Sequence, residues 1–349
     1  MSNFTPAPNK PKKLLATCPA YKESPLIQTT AIANLHLLIK DESHRMGLGS
    51  FKALGGVYAV AMLLAEKWCE KTGEELRPEQ FSSDEFTRFS RATTFICASA
   101  GNHGLAVASG AKIFGAKARI HLSEEVPEEF KKRLLEKSAI VIRSGKVYEE
   151  SVAAATQDAD SGNGILLADG SWEGYTHPPS LVMEGYTVIA EELREQLSQL
   201  QEWPSHVFLQ AGVGGLAAAM AYMIRENWRQ QPEIIVVEPK LAPCLQTSRQ
   251  NGKTTTVTGG ISIMGRLDCK APSLIAFKAL EKAQVRYLTI SDQQAIDATR
   301  ILQENNIHTT PSGAAGLAGL LKMQRKKAMN KEASNNHFRP LIIITEKTL

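Results

Sequence analysis

A lysine in a tight, glycine-bracketed turn is the residue of this chain best placed for covalent chemistry. Lys52 lies in the run Gly47-Leu48-Gly49-Ser50-Phe51-Lys52-Ala53-Leu54-Gly55-Gly56, directly before the apolar stretch 57–65. Ser50 is expected to cap a helix whose apolar face repeats at Val57, Val60, Ala61 and Leu64, and Lys52 then falls in the first turn. The positive end of the helix dipole disfavours a cation there and favours the neutral amine. A neutral amine can attack a carbonyl group. A surface lysine that happens to follow a cap is the other reading.

Other segments could meet such a lysine. Ser99-Ala100-Gly101-Asn102-His103-Gly104 lets a backbone approach a ligand closely. Ser99 or Asn102 could cap the helix behind it, and the Asn102 amide offers a ligand oxygen both a donor and an acceptor; a plain β-to-α turn would have the same composition. The later run Ala211-Gly212-Val213-Gly214-Gly215-Leu216-Ala217 reads as an anion cradle, because its glycines free the backbone amides and a helix start adds positive potential. The segment 212–217 also fits a dinucleotide fingerprint, with Glu238 at the distance of a ribose-binding acid, so a nicotinamide-dependent oxidoreductase is an alternative. Close helix packing accounts for Thr310-Pro311-Ser312-Gly313-Ala314-Ala315-Gly316. The run Leu341-Ile342-Ile343-Ile344-Thr345 ends a buried strand on a hydroxyl that could bond a ring nitrogen.

The elements that must position these residues form an α/β fold. Strands are expected at 93–97, 118–122, 139–142, 165–168, 206–210, 234–238 and 341–345, with helical patterns between them. That rhythm gives mostly parallel sheets with crossover helices, and a site at the carboxyl ends of strands. Two lobes are expected, a large domain of residues 1–66 and 187–349 and a small one of 67–186. The charged stretch 68–91 reads as an exposed helix and connector.

Composition removes several function classes. The chain has 349 residues, 43% hydrophobic and 22% charged, with a net charge of +4, near the averages of soluble proteins. No basic stripe is interleaved with aromatics, which make up 6%, so nucleic acid is not an expected partner. No run approaches a membrane span, and the first residues carry no apolar signal core. Five unpaired-looking cysteines suit a reducing compartment, hence a cytoplasmic protein. His36, His44, His103 and His121 are dispersed, so no metal is expected.

Together the capped lysine, the Ser-Ala-Gly-Asn-His-Gly loop, the Gly-Val-Gly-Gly-Leu loop and the strand-end threonine resemble the fold-type II pyridoxal-phosphate enzymes. These include threonine and serine dehydratases and tryptophan synthase β chains. Within that family the chain is most similar to the diaminopropionate ammonia-lyases, through Lys40-Asp41-Glu42-Ser43, Asp169-Gly170-Ser171-Trp172-Glu173-Gly174-Tyr175, Met183-Glu184-Gly185-Tyr186 and Met264-Gly265-Arg266-Leu267-Asp268-Cys269. The resemblance implies a tryptophan synthase β-like fold of two lobes with twisted, mostly parallel sheets flanked by helices, and a homodimer.

It also implies roles. Lys52 would carry pyridoxal phosphate as a Schiff base and then act as base at the substrate α-carbon. Asn102 would bond the ring hydroxyl oxygen. The amides of Gly212, Val213, Gly214, Gly215 and Leu216 would hold the phosphate, and Thr345 would face the ring nitrogen. Asp169 would serve as an acid or base, and Ser99, Ala100, Gly101 and His103 would contact an amino-acid substrate. The implied reaction is α,β-elimination to a 2-keto acid and ammonia, on 2,3-diaminopropionate or on serine or threonine. Ala100 stands where the diaminopropionate lyases have an aspartate, the base for the D-isomer, and a methyl group cannot take a proton. An L-specific enzyme is therefore implied, with a non-catalytic cofactor-binding homologue as a further alternative.

Overall fold

The computed structural model describes residues 4–99, 101–124, 126–329 and 338–348; Ala100 lies outside the described residues. Ten strands are described: β1 (Leu26–Thr29), β2 (Leu37–Asp41), β3 (Thr94–Ala98), β4 (Lys117–Leu122), β5 (Ile140–Arg143), β6 (Ile165–Leu166), β7 (His206–Gln210), β8 (Glu233–Pro239), β9 (Arg286–Ile290) and β10 (Pro340–Ile344). They form a six-stranded sheet in the order β1-β2-β10-β7-β8-β9 and a four-stranded sheet in the order β5-β4-β3-β6. Every pairing is parallel except β1 with β2. Strands covered on both faces read as unbroken apolar runs, and β10, with all five residues buried, is the clearest case.

All seven expected strands are present, although β6 is cut to two residues. Three strands were not expected. β1 is only partly buried, and β9 is an edge strand that starts on an exposed arginine, so neither shows an apolar run. β2 ends on Lys40 and Asp41 after only three apolar residues, and those charges hide the pattern. The expected lobe divisions at 66/67 and 186/187 fall inside the helices Lys52–Thr72 and His177–Leu200.

The stretch 68–91 is exposed over most of its length, as its charges suggest, but it also carries a buried aromatic cluster. Trp68, Phe81 and Phe86 are buried, and Phe86 meets Trp68, Phe81, Phe89 and Phe114 at ring-centroid distances of 5.3–6.4 Å. The aromatics sit on a helix end and two short helices, so their burial leaves no 3.6-residue period in the sequence.

The Lys52 helix is the shared element. One continuous apolar cluster takes in Leu38, Leu209 and Leu341 of the large sheet, Phe95 and Ile120 of the small sheet, and Leu54, Tyr58 and Leu64 of this helix. Its first turns touch the His177 helix at backbone distance: a Cβ on Gly185 would lie 2.7 Å from the Gly55 Cα, and one on Gly55 would lie 2.3 Å from the Tyr186 ring. On the other side Gly56 meets Ala106 of the helix Asn102–Phe114.

A second tie is ionic. Lys40 and Arg45 face Glu42 and Glu192 with all four side chains at most 1% exposed. Glu192 accepts from Lys40 Nζ at 2.8 Å, from Arg45 at 2.7 and 2.8 Å and from the Tyr21 hydroxyl at 2.8 Å. Burial opposes the Glu192 charge, but the Arg45 and Lys40 bonds outweigh it and hold the carboxyl below its ordinary value. The network fastens the His177 helix to the end of β2 and to the chain that leads to Lys52.

Removing one member of a buried cluster leaves its partners uncompensated. Glu192→Ala is therefore expected to cost roughly 3–5 kcal/mol, read as a lower urea midpoint; a loss under about 1 kcal/mol would mark the cluster as behaving like a surface pair. Because the folded-state value of Glu192 is depressed, its contribution is present above the ordinary glutamate range and disappears as pH falls through the folded value. The wild type should lose that stability in acid, and Glu192→Gln should flatten this limb.

Candidate active site

The carboxyl ends of β3, β7 and β10 open on one cavity of about 450 Å³, where parallel sheets place their ligands. Lys52, Asn102, Asp169, Thr345 and the turn Gly212–Leu216 all line it. Ser99, Gly101 and His103 line it as well.

Lys52 is the first residue of its helix, but Ser50 does not cap it. The residue before the helix is Phe51, with no side-chain cap, and Ser50 is buried in an antiparallel bridge with Glu346. Phe51 N donates to Thr345 O at 3.1 Å, and Lys347 N donates to Gly49 O at 3.0 Å. The chain beyond β10, more than 290 positions away in sequence, thus fixes the lysine turn that local capping was expected to fix.

The amine is not neutral either. Lys52 Nζ lies 2.5 Å from Asp169 Oδ2, and 5.3 and 5.7 Å from the ring centroids of Phe51 and Tyr186. Burial favours the neutral amine, but the Asp169 carboxylate outweighs it and holds Lys52 above its ordinary value. Burial likewise opposes ionisation of Asp169, yet the Lys52 ammonium keeps it well below the usual carboxylate range. A carboxylate in contact overrides the first-turn dipole.

Asp169 is held by its own loop. Tyr175 Oη donates to Leu166 O at 2.8 Å and accepts from Ala168 N at 3.1 Å, Trp172 and Tyr175 stack at 4.4 Å, and Ser171 Oγ meets Ser273 Oγ at 2.8 Å. The Trp-Glu-Gly-Tyr block is thus a clamp behind the aspartate.

The Ser99 hydroxyl is spent on its own turn, accepting from Gly101 N at 3.1 Å and Gly104 N at 2.9 Å. His103 is buried, which pushes it below its ordinary value, and Nε2 contacts Leu167 O at 2.8 Å. A neutral ring with its proton on Nε2 follows. Asn102 opens its helix and donates through Nδ2 to the Glu346 carboxylate.

Gly212 to Leu216 form the opposite wall. A Cβ on Gly212 would lie 2.8 Å from Cys269 Sγ, so the backbone itself must face the cavity there. In the helix Gly215–Asn227 the first intrahelical bond is Ala218 N to Gly214 O at 2.9 Å, which leaves the preceding amides without helix partners. Such a turn suits a phosphate. Thr345 Oγ1 stands 3.3 Å from Gln210 Nε2 at the cavity floor. An amine for a carbonyl, a cradle for a phosphate and hydroxyl and amide groups between them are a donor set that fits pyridoxal phosphate.

Glu238 does not belong to the site. It is fully buried, accepts from Leu245 N at 2.7 Å and Gln246 N at 2.8 Å, and is pushed up to about 7 by burial. It caps the helix Cys244–Asn251 and does not line the cavity, which removes the ribose acid required by the nicotinamide reading.

The cavity also holds Tyr148, Arg266, Cys269 and Glu346. None was expected as a site residue. Arg266 and Cys269 lie in the Met264-Gly265-Arg266-Leu267-Asp268-Cys269 motif and Glu346 directly follows Thr345, but no residue type or spacing there assigned them a role; Tyr148 starts a helix but leaves 41% of its surface open, like any surface tyrosine. Among the described residues no group of three or more His, Cys, Asp or Glu could hold a metal, and no helix is long and apolar enough to cross a membrane.

Comparison with known proteins agrees with the donor set. A family model described as "Pyridoxal-phosphate dependent enzyme" matches residues 18–335. Diaminopropionate ammonia-lyase of Escherichia coli (strain K12) is 33% identical over 93% of this chain and 84% of its own. D-serine dehydratase of Yersinia enterocolitica is 28% identical over 81% of this chain and 66% of its own. A crystal structure of the Escherichia coli diaminopropionate ammonia lyase, in complex with an aminoacrylate-PLP azomethine reaction intermediate, superposes with a TM-score of 0.86 at 31% identity, covering 99% of this chain and 89% of that one.

The Lys52–Asp169 contact generates a direct test. Asp169→Asn is expected to lower the Lys52 pKa by roughly 1–3 units. The pH dependence of Lys52 modification by an amine-directed reagent in cofactor-free protein, read by peptide mass, measures it. Equal midpoints in variant and wild type would refute the assignment.

Proposed function

Since the chain belongs to the pyridoxal-phosphate dependent enzyme family, we propose that it is an ammonia-lyase acting by α,β-elimination on a small L-amino acid, with 2,3-diaminopropionate as the favoured substrate. The observation that carries this reading is the Lys52 amine on the Asp169 carboxylate, in a cavity whose far wall is the glycine cradle. Lys52 would carry the cofactor covalently, Asn102 would meet its ring oxygen and Thr345 its ring nitrogen. The amides of Gly212, Val213, Gly214, Gly215 and Leu216 would take its phosphate. When bound, pyridoxal phosphate supplies a sink for the electrons left on the α-carbon.

The residues of the chain supply the proton transfers and the positioning. Lys52, once released, takes the α-proton, and a general base so placed contributes roughly 10²–10⁴-fold. Asp169 orients that amine, and across their contact it could take up the proton Lys52 has gained and pass it to the leaving group. Ser99 fixes the turn through Gly101 N and Gly104 N, and that turn would lie against the substrate carboxylate, with neutral His103 held on Leu167 O. Thr345 is a neutral partner for the ring nitrogen, and without a carboxylate there the sink is weaker, which favours prompt loss of the β-substituent. With diaminopropionate and one water, the products are pyruvate and two molecules of ammonia.

L-specificity rests on Ala100, which has no group to take a proton from the opposite face. Five free cysteines suit a reducing, cytoplasmic setting, and a homodimer is the assembly that family likeness implies.

Ammonia and keto-acid release across a panel of D- and L-amino acids tests the reading. L-diaminopropionate should lead, the D-isomer should be inactive, and Lys52→Ala should lose at least about 10² in rate. Equal rates on both isomers would overturn the L-specific reading. No release from any amino acid, by protein that nonetheless carries the cofactor on Lys52, would favour the non-catalytic homologue.

A further inference from the structure

Glu346 is a buried carboxylate that the elimination chemistry leaves without a task. It is 4% exposed, follows Thr345 at the end of β10 and lines the cavity. Its Oε1 accepts from the Thr310 hydroxyl at 2.5 Å, its Oε2 accepts from Asn102 Nδ2, and Arg266 Nε lies 3.7 Å from Oε2. Three donors from three separate segments therefore converge on one acid. Burial pushes this carboxyl up, against Arg266, Thr310 and Asn102, which favour its charge.

The consequence falls on Asn102. An asparagine amide can be turned either way, and its neighbours decide which end faces a ligand. An ionised carboxylate only accepts, so Asn102 must turn its nitrogen, not its oxygen, toward Glu346. That nitrogen carries two N–H groups. Among the described residues the Asn102 side chain makes no other hydrogen bond, so the second N–H is available to the cavity.

We propose that Glu346 is a positioning residue that locks Asn102 as a donor to the cofactor's ring oxygen, and so keeps that oxygen in its anionic form. The inference rests on the cofactor reading of the site given above. Without an acceptor-only partner, Asn102 can turn its oxygen to the cavity and accept from a protonated ring hydroxyl. Glu346→Gln makes that turn favourable when its oxygen stays on the Thr310 hydroxyl, because the new amide nitrogen then takes the place of Oε2 beside Asn102 and must find an acceptor. The variant is nearly isosteric. Glu346→Asp remains acceptor-only and should hold Asn102 as the wild type does.

The test is the absorbance of protein reconstituted with pyridoxal phosphate, without substrate, at one pH. The visible band reports the anionic ring oxygen and the near-ultraviolet band the protonated one. Glu346→Gln should shift the ratio of the two roughly tenfold toward the near-ultraviolet, about the worth of one hydrogen bond. Glu346→Asp should stay near the wild-type ratio. Asn102→Ala should shift it too, and adding Glu346→Gln to Asn102→Ala should change nothing further, since the effect runs through Asn102. A wild-type spectrum in Glu346→Gln, an equal shift in Glu346→Asp, or additive shifts in the double variant would overturn the proposal while leaving the cofactor site standing. A wild-type protein with only the near-ultraviolet band would overturn this inference alone, and one with neither band after reconstitution would overturn the site reading and this inference with it.

Discussion

Everything in this site depends on how closely the Lys52 helix can approach its two neighbours. Side-chain-free contact at Gly55 and Gly185 brings the His177 helix against its first turns, so that Tyr186 reaches the Lys52 amine. The contact of Gly56 with Ala106 draws in the helix that starts at Asn102. One helix thereby sets the separation of the two loops that must share a ligand. Interiors are close-packed and transmit such displacements, so a methyl group at either contact would move a catalytic side chain without touching it.

Two of the ion pairs that line the cavity join distant segments of the chain. Lys52 faces Asp169, and Arg266 faces Glu346. Each pair spans elements distant in sequence, and each contacts a group that lines the cavity, the Lys52 amine in one case and the Asn102 amide in the other. Glu238 is the contrast. It is just as buried, but its donors are two backbone amides of a helix start, so its work is architectural.

The fold was largely legible in the sequence because buried parallel strands write themselves as apolar runs. β3, β7, β8 and β10 do so; β4 alternates apolar with basic residues, and β1, β2 and β9 lie at the sheet edge or carry charges such as Lys40. Lys52, Asn102, Thr345 and the glycine turn were visible through turn and helix-start composition, and the structure brings them around one cavity. What local rules missed was set by distant partners. Ser50 is taken by Glu346 instead of capping, Asp169 reverses the expected charge state of Lys52, and the aromatics of 68–91 find a core with no local period to announce it. Motif-based reading of the 212–217 turn also allowed a second cofactor, and only the burial of Glu238 separates the two.

The position of β10 carries a consequence for how the protein is made. It is the last strand described along the chain, yet it lies in the middle of the large sheet, between β2 and β7, and Thr345 and Glu346 follow directly from it. During vectorial synthesis β2 and β7 emerge with a gap between them that no earlier strand fills. The Lys52 turn, stitched to residues 345 and 347, cannot take its final form until that gap closes. Domains emerge amino-terminal end first, and here the small sheet can assemble while the Lys52 turn waits. Until β10 is in place between β2 and β7, the bonds from Phe51 and Gly49 to residues 345 and 347 cannot form.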